Sequence, residues 1–171
     1  MTARQRQFKW LLTTLFCVLV LDQITKSIVL ASIEVDPGYR ENTFFYFTHQ
    51  RNEGLVGGMF SGYPYVALIA PVIATLTLIY LFRHLNPASR LQSLAFGMVM
   101  GGALGNLTDR IRLGWVTDFL QFHFYFIPFD FYWKFYPAFN LADSAIVVGV
   151  FVLVLSWNTT QPAQSDAAGT V

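Results

Sequence analysis

Four long apolar stretches, separated by polar segments, dominate the pattern of this chain. Each is close to the roughly 20 residues that an α-helix needs to cross the hydrocarbon core of a bilayer. The stretches cover residues 8–33, 65–82, 91–107 and 139–157. We therefore predict an all-α membrane protein with four transmembrane helices, which form one domain over residues 1–157.

The connections between these stretches differ in character. Residues 34–64 are polar and contain a strand-like run, 43–49, followed by a glycine-rich stretch, 52–60. Residues 119–137 are rich in aromatic side chains, which typically settle at the membrane interface. The tail, residues 158–171, is small and polar without periodicity, and we predict that it is disordered. The predicted fold thus adds a small strand-containing external segment to the four helices.

Basic residues predict the orientation of the helices. Arg4, Arg6 and Lys9 precede the first stretch, and Arg83 and Arg90 flank the short turn between the second and the third. Short connections rich in Lys and Arg stay in the cytoplasm. The other six of the eleven Lys and Arg lie on or near the opposite side, so the prediction depends on these five. Both termini, including the tail, are predicted to be cytoplasmic.

Composition and charge narrow the classes of function. Charged residues make up 12% of the chain, against about 25% in soluble domains. With a net charge of +1 and no run of Lys and Arg, we expect no nucleic-acid partner. His49, His84 and His123 lack metal-ligand spacing, so neither a metal nor another cofactor is predicted. Cys17 lies in the first apolar run with no His close in sequence, which argues against thiol catalysis.

Two aspartates lie near the ends of apolar stretches. Asp118 follows the third stretch and directly precedes the aromatic connection, and Asp143 lies at the start of the fourth stretch. Carboxylates are costly at such positions, and function is the default explanation for them. Asn140 and Asp143 also have the form of a helix N-cap with an acid in the first turn, which is a sufficient structural reason for both. Two carboxylates held close together can share one proton and activate water. For Asp143 alone, a structural role and a catalytic role are therefore both open, and the presence of the second carboxylate, Asp118, favours the catalytic one.

Other polar residues collect at the same predicted outer ends. They are Asp22 and Lys26 in the first helix, Asn52 and Gly54 in the glycine-rich stretch, and Asn106, Asp109 and Arg110 at the end of the third helix. In that third helix, Gly97, Gly101 and Gly105 recur every four residues, which predicts one face for close packing against a neighbouring helix.

Five motifs make the chain recognisable. They are residues 21–26 (LDQITK), 52–54 (NEG), 101–110 (GGALGNLTDR), 116–119 (VTDF) and 139–146 (FNLADSAI). In order and spacing they resemble the lipoprotein signal peptidase family, also called signal peptidase II. The resemblance implies a four-helix aspartyl endopeptidase of the bacterial inner membrane, with its site near the outer face. Such an enzyme removes the signal peptide of prolipoproteins just before the lipid-modified cysteine.

The resemblance also implies roles for individual residues. Asp118 and Asp143 would be the catalytic pair. Residues that would bind the substrate are Asn52, Gly54, Asn106, Arg110 and Asn140, and residues that would stabilise the site are Asp22, Lys26 and Asp109. The implied partners are lipid-modified prolipoproteins, membrane lipid and a globomycin-type inhibitor.

The chain departs from the family pattern at two places. Residues 55–58 read Leu-Val-Gly-Gly where the family commonly has a pair of alanines, which predicts a different loop over the pocket. The interval between Asp118 and Asp143 is longer than usual. Neither departure touches the presumed pair of aspartates, so we expect them to alter substrate preference or inhibitor affinity more than activity.

Two other classes of protein remain as alternatives. In a small proton-coupled transporter, intramembrane Asp, Lys and Arg would mark an ion pathway, but polar groups at mid-membrane and repeated, interrupted helices would be expected. A non-catalytic lipoprotein-binding relative would be expected to have lost one of the two aspartates.

Overall fold

The computed structural model describes residues 1–35, 43–55, 59–60, 62–131 and 134–158. The fold is mostly helical, with a small two-stranded antiparallel sheet. In chain order the elements are helix α1 (Ala3–Ser32), strand β1 (Phe45–Asn52), helix α2 (Pro64–Leu81), helix α3 (Arg90–Leu113), strand β2 (Val116–Phe122) and helix α4 (Leu141–Asn158). A short 3₁₀ turn, Phe82–His84, extends α2.

Helix α3 packs closely against α1 through its glycines. A Cβ atom at Gly97 would lie 2.7 Å from the carbonyl oxygen of Leu11, and one at Gly101 would lie 2.8 Å from that of Leu15. Because these positions have no side chain, the two helix backbones come close together. The predicted packing face of α3 is thus confirmed, and α1 is the helix that it contacts.

Three further glycine contacts complete the centre of the bundle. Gly105 lies directly against the carboxylate of Asp22, so the glycine face of α3 leads up to the polar residues of α1. On another side of α3, Gly102 lies against the backbone of Ala142 in α4. A Cβ atom at Gly149 of α4 would lie 2.7 Å from the carbonyl oxygen of Ala95. Helix α3 is therefore held between α1 and α4.

An apolar cluster closes the opposite end of the bundle. It contains Leu11, Leu85, Phe96 and Met100, with Leu15, Leu78, Phe82 and Leu153 packed against it. At 1.5 Å per residue along α1, Leu11 and Asp22 are separated by about 16 Å. The apolar core and the polar residues thus occupy different levels of the same bundle.

The small sheet carries part of the polar site. Strand β1 pairs antiparallel with β2, and Gln50 lies opposite Asp118 in that register. Residues 45–49 of the predicted strand-like run, 43–49, lie in β1, which begins at Phe45 and continues to Asn52. Its partner strand β2 was not predicted, and residues 119–122 of the aromatic connection belong to it.

Several faces of the bundle expose large apolar side chains. Among the described residues, α1 and the stretch Tyr65–His84 are long and apolar enough to cross a membrane, while the apolar part of α4 is shorter. Exposed side chains include Phe16, Ile24 and Ile28 of α1, Ile69, Ile73 and Leu76 of α2, and Val147, Phe151 and Val154 of α4. Apolar surface of this extent marks contact with lipid or with another protein.

Helices α3 and α4 extend past the C-terminal ends that the apolar stretches predict. Helix α3 continues to Leu113 instead of ending at residue 107, so Asn106, Asp109 and Arg110 lie within the helix. Residues 108–113 are mostly polar and lie outside the predicted apolar stretch, but they still form helix. Gly114, with φ of 87°, ends α3 in the left-handed conformation that glycine adopts readily. Helix α4 ends at Asn158, the first residue of the predicted tail, and the rest of that tail lies outside the described residues.

Candidate active site

Asp118 lies in β2 with its side chain almost completely buried, at 3% exposed. Its Oδ1 accepts a hydrogen bond from Asn140 Nδ2 at 2.7 Å, and its Oδ2 accepts one from Asn52 Nδ2 at 3.0 Å. Asn140 immediately precedes α4 and Asn52 ends β1. Three separate segments of the chain therefore meet at this carboxylate.

Asp143 is positioned by the start of α4. Asn140 Oδ1 accepts the backbone N–H of Asp143 at 3.0 Å, and Asp143 Oδ2 accepts the backbone N–H of Asn140 at 3.1 Å. This reciprocal pair is a capping box, so the capping geometry predicted from the sequence is confirmed. The other oxygen, Oδ1, accepts a hydrogen bond from Asn106 Nδ2 at 2.7 Å. Asp143 thus caps the helix and also belongs to the polar cluster.

The amides of Asn106 and Asn140 connect the two aspartates. Asn140 Nδ2 donates to Asn106 Oδ1 at 3.1 Å, in addition to its bond with Asp118. Burial raises the pKa of Asp118, the charge of Asp143 raises it further, and the bonds from Asn52 and Asn140 oppose these effects, so that the pKa is about 7. Near neutral pH, Asp118 is therefore able to hold or release a proton.

A buried cation lies beneath the pair. Lys26 is 1% exposed, and its Nζ lies 2.9 Å from Asp22 Oδ2 and 3.3 Å from Asp109 Oδ2. It also donates to Asn106 Oδ1 at 2.9 Å. A buried ammonium is tolerated only when it is paired and hydrogen-bonded, and these three contacts meet that requirement.

The two carboxylates beside Lys26 also accept hydrogen bonds from backbone N–H groups. Asp22 Oδ1 accepts the N–H of Ala142 at 3.0 Å, and Asp109 Oδ2 accepts the N–H of Thr117 at 3.0 Å. These contacts tie α1 to the start of α4, and α3 to β2.

Arg110 and Gly54 form the edge of the site. Arg110 Nη2 donates to the carbonyl oxygen of Gly54 at 2.7 Å, and the N–H of Gly54 donates to Asn52 Oδ1 at 3.1 Å. The guanidinium thereby fixes the turn that follows β1. The predicted departure at 55–58 concerns the continuation of this turn, of which residues 56–58 lie outside the described part of the chain.

All ten residues singled out in the sequence lie in one connected network of hydrogen bonds and ion pairs. Gln23 belongs to the same network and was missed. Its Nε2 lies 3.2 Å from Asp22 Oδ2, 3.1 Å from Asp109 Oδ1 and 3.2 Å from the carbonyl oxygen of Gly105. The available signal was its place three residues before Lys26, since residues at that spacing are neighbours on a helix surface.

Paired carboxylates that share amide partners, with one pKa near neutrality, can activate water without a cofactor. Together with a helical bundle that exposes apolar side chains, they define the class of membrane-embedded aspartic hydrolases.

Comparison with known proteins makes the assignment specific. The sequence model described as "Signal peptidase (SPase) II" matches residues 14–159. A lipoprotein signal peptidase of Syntrophotalea carbinolica is 36% identical over 154 residues, covering 88% of this chain and 91% of the relative. One of Geobacter metallireducens is 38% identical over 162 residues, covering 86% and 89%. A solved bacterial membrane enzyme superimposes with a TM-score of 0.72 at 26% identity, covering 94% of this chain and 93% of that one.

The chain therefore belongs to the signal peptidase II family, and it is an aspartic-type peptidase of the membrane. The resemblance drawn from the five sequence motifs is confirmed.

Proposed function

We propose that this protein removes the signal peptide from bacterial prolipoproteins, immediately before the diacylglyceryl-modified cysteine, with Asp118 and Asp143 as its catalytic pair. The observation that carries the proposal is the closed set of hydrogen bonds in which Asn140 and Asn106 hold both carboxylates. The names of the relatives, lipoprotein signal peptidase, support the choice of substrate.

The reaction needs one proton on the pair. The ionised carboxylate takes a proton from water as the water oxygen attacks the scissile carbonyl, and the protonated carboxylate donates its proton to the carbonyl oxygen. As the C–N bond breaks, the protonated carboxylate donates its proton to the leaving amine and the ionised carboxylate takes a proton from a hydroxyl of the tetrahedral intermediate, so the pair again holds one proton. The products are a carboxylic acid and an amine, and no acyl-enzyme forms. Asn52, Gly54, Asn106, Arg110 and Asn140 would bind the peptide around the pair, while Asp22, Lys26 and Asp109 stabilise the site.

The site would lie at the outer face of the inner membrane, with four membrane-spanning helices and both termini in the cytoplasm. Support comes from the opposite end of the bundle, where guanidinium groups lie over aromatic rings. Arg90 lies 3.8 Å from the ring centre of Trp10, and Arg4 lies 4.9 Å from that of Phe82. Arg and aromatic side chains favour the membrane interface, and Arg favours its cytoplasmic side.

The aromatic connection would rest on the outer membrane surface. Tyr125, Phe126 and Phe129 expose between 41% and 65% of their surface. The ring of His123 stacks on that of Phe135 at 4.1 Å, which holds the two sides of this connection together. Exposed aromatic side chains on a folded support are typical of contact with lipid headgroups. Residues 132 and 133 of this connection lie outside the described part.

Lateral entry of the substrate from the membrane would keep its acyl chains in lipid while the peptide reaches the pair. A globomycin-type inhibitor would compete for the same pocket. A transporter is disfavoured, because the contacts at Gly97 and Gly101 bring apolar parts of α1 and α3 together below the polar cluster.

Cleavage of purified precursors tests this function. Detergent-purified protein is incubated with a diacylglyceryl-modified prolipoprotein and, in parallel, with the same precursor lacking the lipid, and the products are identified by mass spectrometry. We expect cleavage of the modified precursor alone, with the lipidated cysteine as the new N-terminus. Cleavage at another bond, or equal cleavage of the unmodified precursor, would contradict the proposal.

A further inference from the structure

The two aspartates of the proposed catalytic pair are attached to the bundle in the same way. Asp22 accepts the N–H of Ala142, the residue directly before Asp143. Asp109 accepts the N–H of Thr117, the residue directly before Asp118. A change in the distance between the Asp22 and Asp109 carboxylates would therefore shift the backbone next to each catalytic residue.

Two side chains of α1 bridge those carboxylates through non-covalent contacts. Lys26 Nζ contacts Asp22 Oδ2 and Asp109 Oδ2, at 2.9 and 3.3 Å. Gln23 Nε2 contacts Asp22 Oδ2 and Asp109 Oδ1, at 3.2 and 3.1 Å. Each carboxylate is thus held by a cation and by a neutral amide.

The orientation of the Gln23 amide follows from its neighbours. Arg112 Nη1 lies 3.1 Å from Gln23 Oε1. A guanidinium can only donate, so it must face the amide oxygen, and an ionised carboxylate can only accept, so it must face the NH₂ group. Arg112 therefore directs both donors of Gln23 toward α3 and the two carboxylates.

We propose that Gln23 is a positioning residue of the peptidase, which fixes the distance between Asp22 and Asp109 and, through the backbone of Ala142 and Thr117, the distance between Asp143 and Asp118. The inference rests on the proposed function of that pair. Charge balance does not require Gln23, since it is neutral and Lys26 already supplies the cation. Its contribution is geometric, and small displacements of catalytic groups lower the reaction rate strongly.

Two substitutions remove the donors of Gln23 in different ways. Gln23→Met keeps the length of the side chain without any polar group, and Gln23→Glu keeps the bond from Arg112 but presents carboxylate oxygens to Asp22 and Asp109. Ser27→Ala is the matched control, because this exposed hydroxyl donates to the backbone oxygen of Gln23 within α1 and, among the described residues, contacts neither Asp22 nor Asp109. Cleavage of the lipidated precursor is measured per folded enzyme over a range of pH.

For both Gln23 variants we expect kcat to fall about tenfold with KM unchanged within about twofold, while Ser27→Ala behaves as wild type. In Gln23→Met, a wider pair weakens the effect of Asp143 on Asp118, so the alkaline limb of the kcat profile should move to lower pH. Gln23→Glu adds a negative charge that acts in the opposite direction, so the pH profile is compared for Gln23→Met alone. The other charged groups that face Asp118, Arg110 from α3 and Lys26 from α1, are unchanged in these variants.

Three results would overturn this inference. One is an unchanged kcat in both variants together with an unchanged alkaline limb in Gln23→Met. Another is a lower melting temperature with normal kcat per folded molecule, which would make Gln23 structural only. The third is failure of both variants to fold, which would make Gln23 a requirement of the fold. A wild-type enzyme without activity on the lipidated precursor would instead refute the proposed function, so the two failures are distinguishable.

Discussion

Asn140 contacts both members of the carboxylate pair through different atoms. Its side-chain oxygen and backbone N–H form the cap with Asp143, whereas its side-chain NH₂ donates to Asp118 and to Asn106. The cap and the connection between the carboxylates are therefore separable by substitution.

Replacing Asn140 by Ser should keep the helix cap and remove the connection between the two carboxylates. Ser is a good N-cap, so the free energy of unfolding of Asn140→Ser should stay within about 1 kcal/mol of the wild-type value. That of Asn140→Ala should fall by about 0.5–2 kcal/mol. Neither side chain can donate to both Asp118 and Asn106, so both variants should cleave precursor at least about 100-fold more slowly. Melting temperature and cleavage rate in detergent measure the two effects. A Ser variant with near-normal activity would contradict the role of the amide.

The raised pKa of Asp118 also affects stability. The folded protein holds this proton with a pKa of about 7, against 3.8 for an ordinary aspartate. The folded state thus binds the proton more tightly than the unfolded chain, and the free energy of unfolding falls as pH rises from the ordinary value toward 7. At alkaline pH, the ionised carboxylate of Asp118 therefore lowers the free energy of unfolding.

Asp118→Asn should remove the loss of stability that ionisation of Asp118 causes. At pH 8 we expect the variant to be inactive but more stable than wild type, by up to about 4 kcal/mol, whereas at pH 4 the difference should nearly vanish. Thermal unfolding in detergent at the two pH values measures this. If the variant were less stable than wild type at pH 8, the carboxylate would be stabilising in its ionised form, contrary to this account.

Helix α3 determines how the site is assembled, because its neighbours on two sides carry site residues. Its contact with α1 brings Lys26 to Asp109 and Asn106, and its contact with α4 brings Asn106 to Asp143. The glycines of α3 make both contacts possible.

Gly101→Leu should therefore damage the site from a distance. The added side chain would meet the Leu15 carbonyl and Val18, and we expect a loss of about 1–3 kcal/mol of stability from overpacking. Cleavage should fall as α1 moves away from α3. Ile111→Ala, at a 70% exposed position of the same helix, is the control and should change little. Equal effects of both substitutions on melting temperature and cleavage would contradict the packing role of Gly101.

The elements also show what sequence could and could not predict. The glycine periodicity of α3 and the cap at Asn140 were predictable because each depends on residues within one or two turns. Strand β2 was not, since Val116–Phe122 is buried on both faces and lacks the alternation of a half-exposed strand. Its pairing depends on β1, far away in the chain. The position of Gln23 between Asp22 and Asp109 likewise depends on the approach of α3 to α1, which the sequence of α1 does not contain.

The orientation of the whole molecule is testable with cysteines. Cys17, the only cysteine, is first replaced by Ala, and a single cysteine is then placed at exposed Ala88 or exposed Glu53. Ala88 lies in the turn before α3, and Glu53 follows β1. An impermeant thiol reagent should label the Glu53→Cys variant in cells with a permeable outer membrane, and the Ala88→Cys variant only after the inner membrane is opened. The reverse pattern would contradict the proposed topology.

The most direct test of the central claim compares three proteins on one substrate. Wild type, Asp118→Asn and Asp143→Asn are purified in detergent, matched for folded protein, and incubated with the diacylglyceryl-modified precursor. If the pair activates water, each substitution should lower the cleavage rate by about 10²–10⁴-fold while the proteins remain inserted and folded. Substantial turnover by either folded variant would contradict the assignment of Asp118 and Asp143 as the catalytic pair.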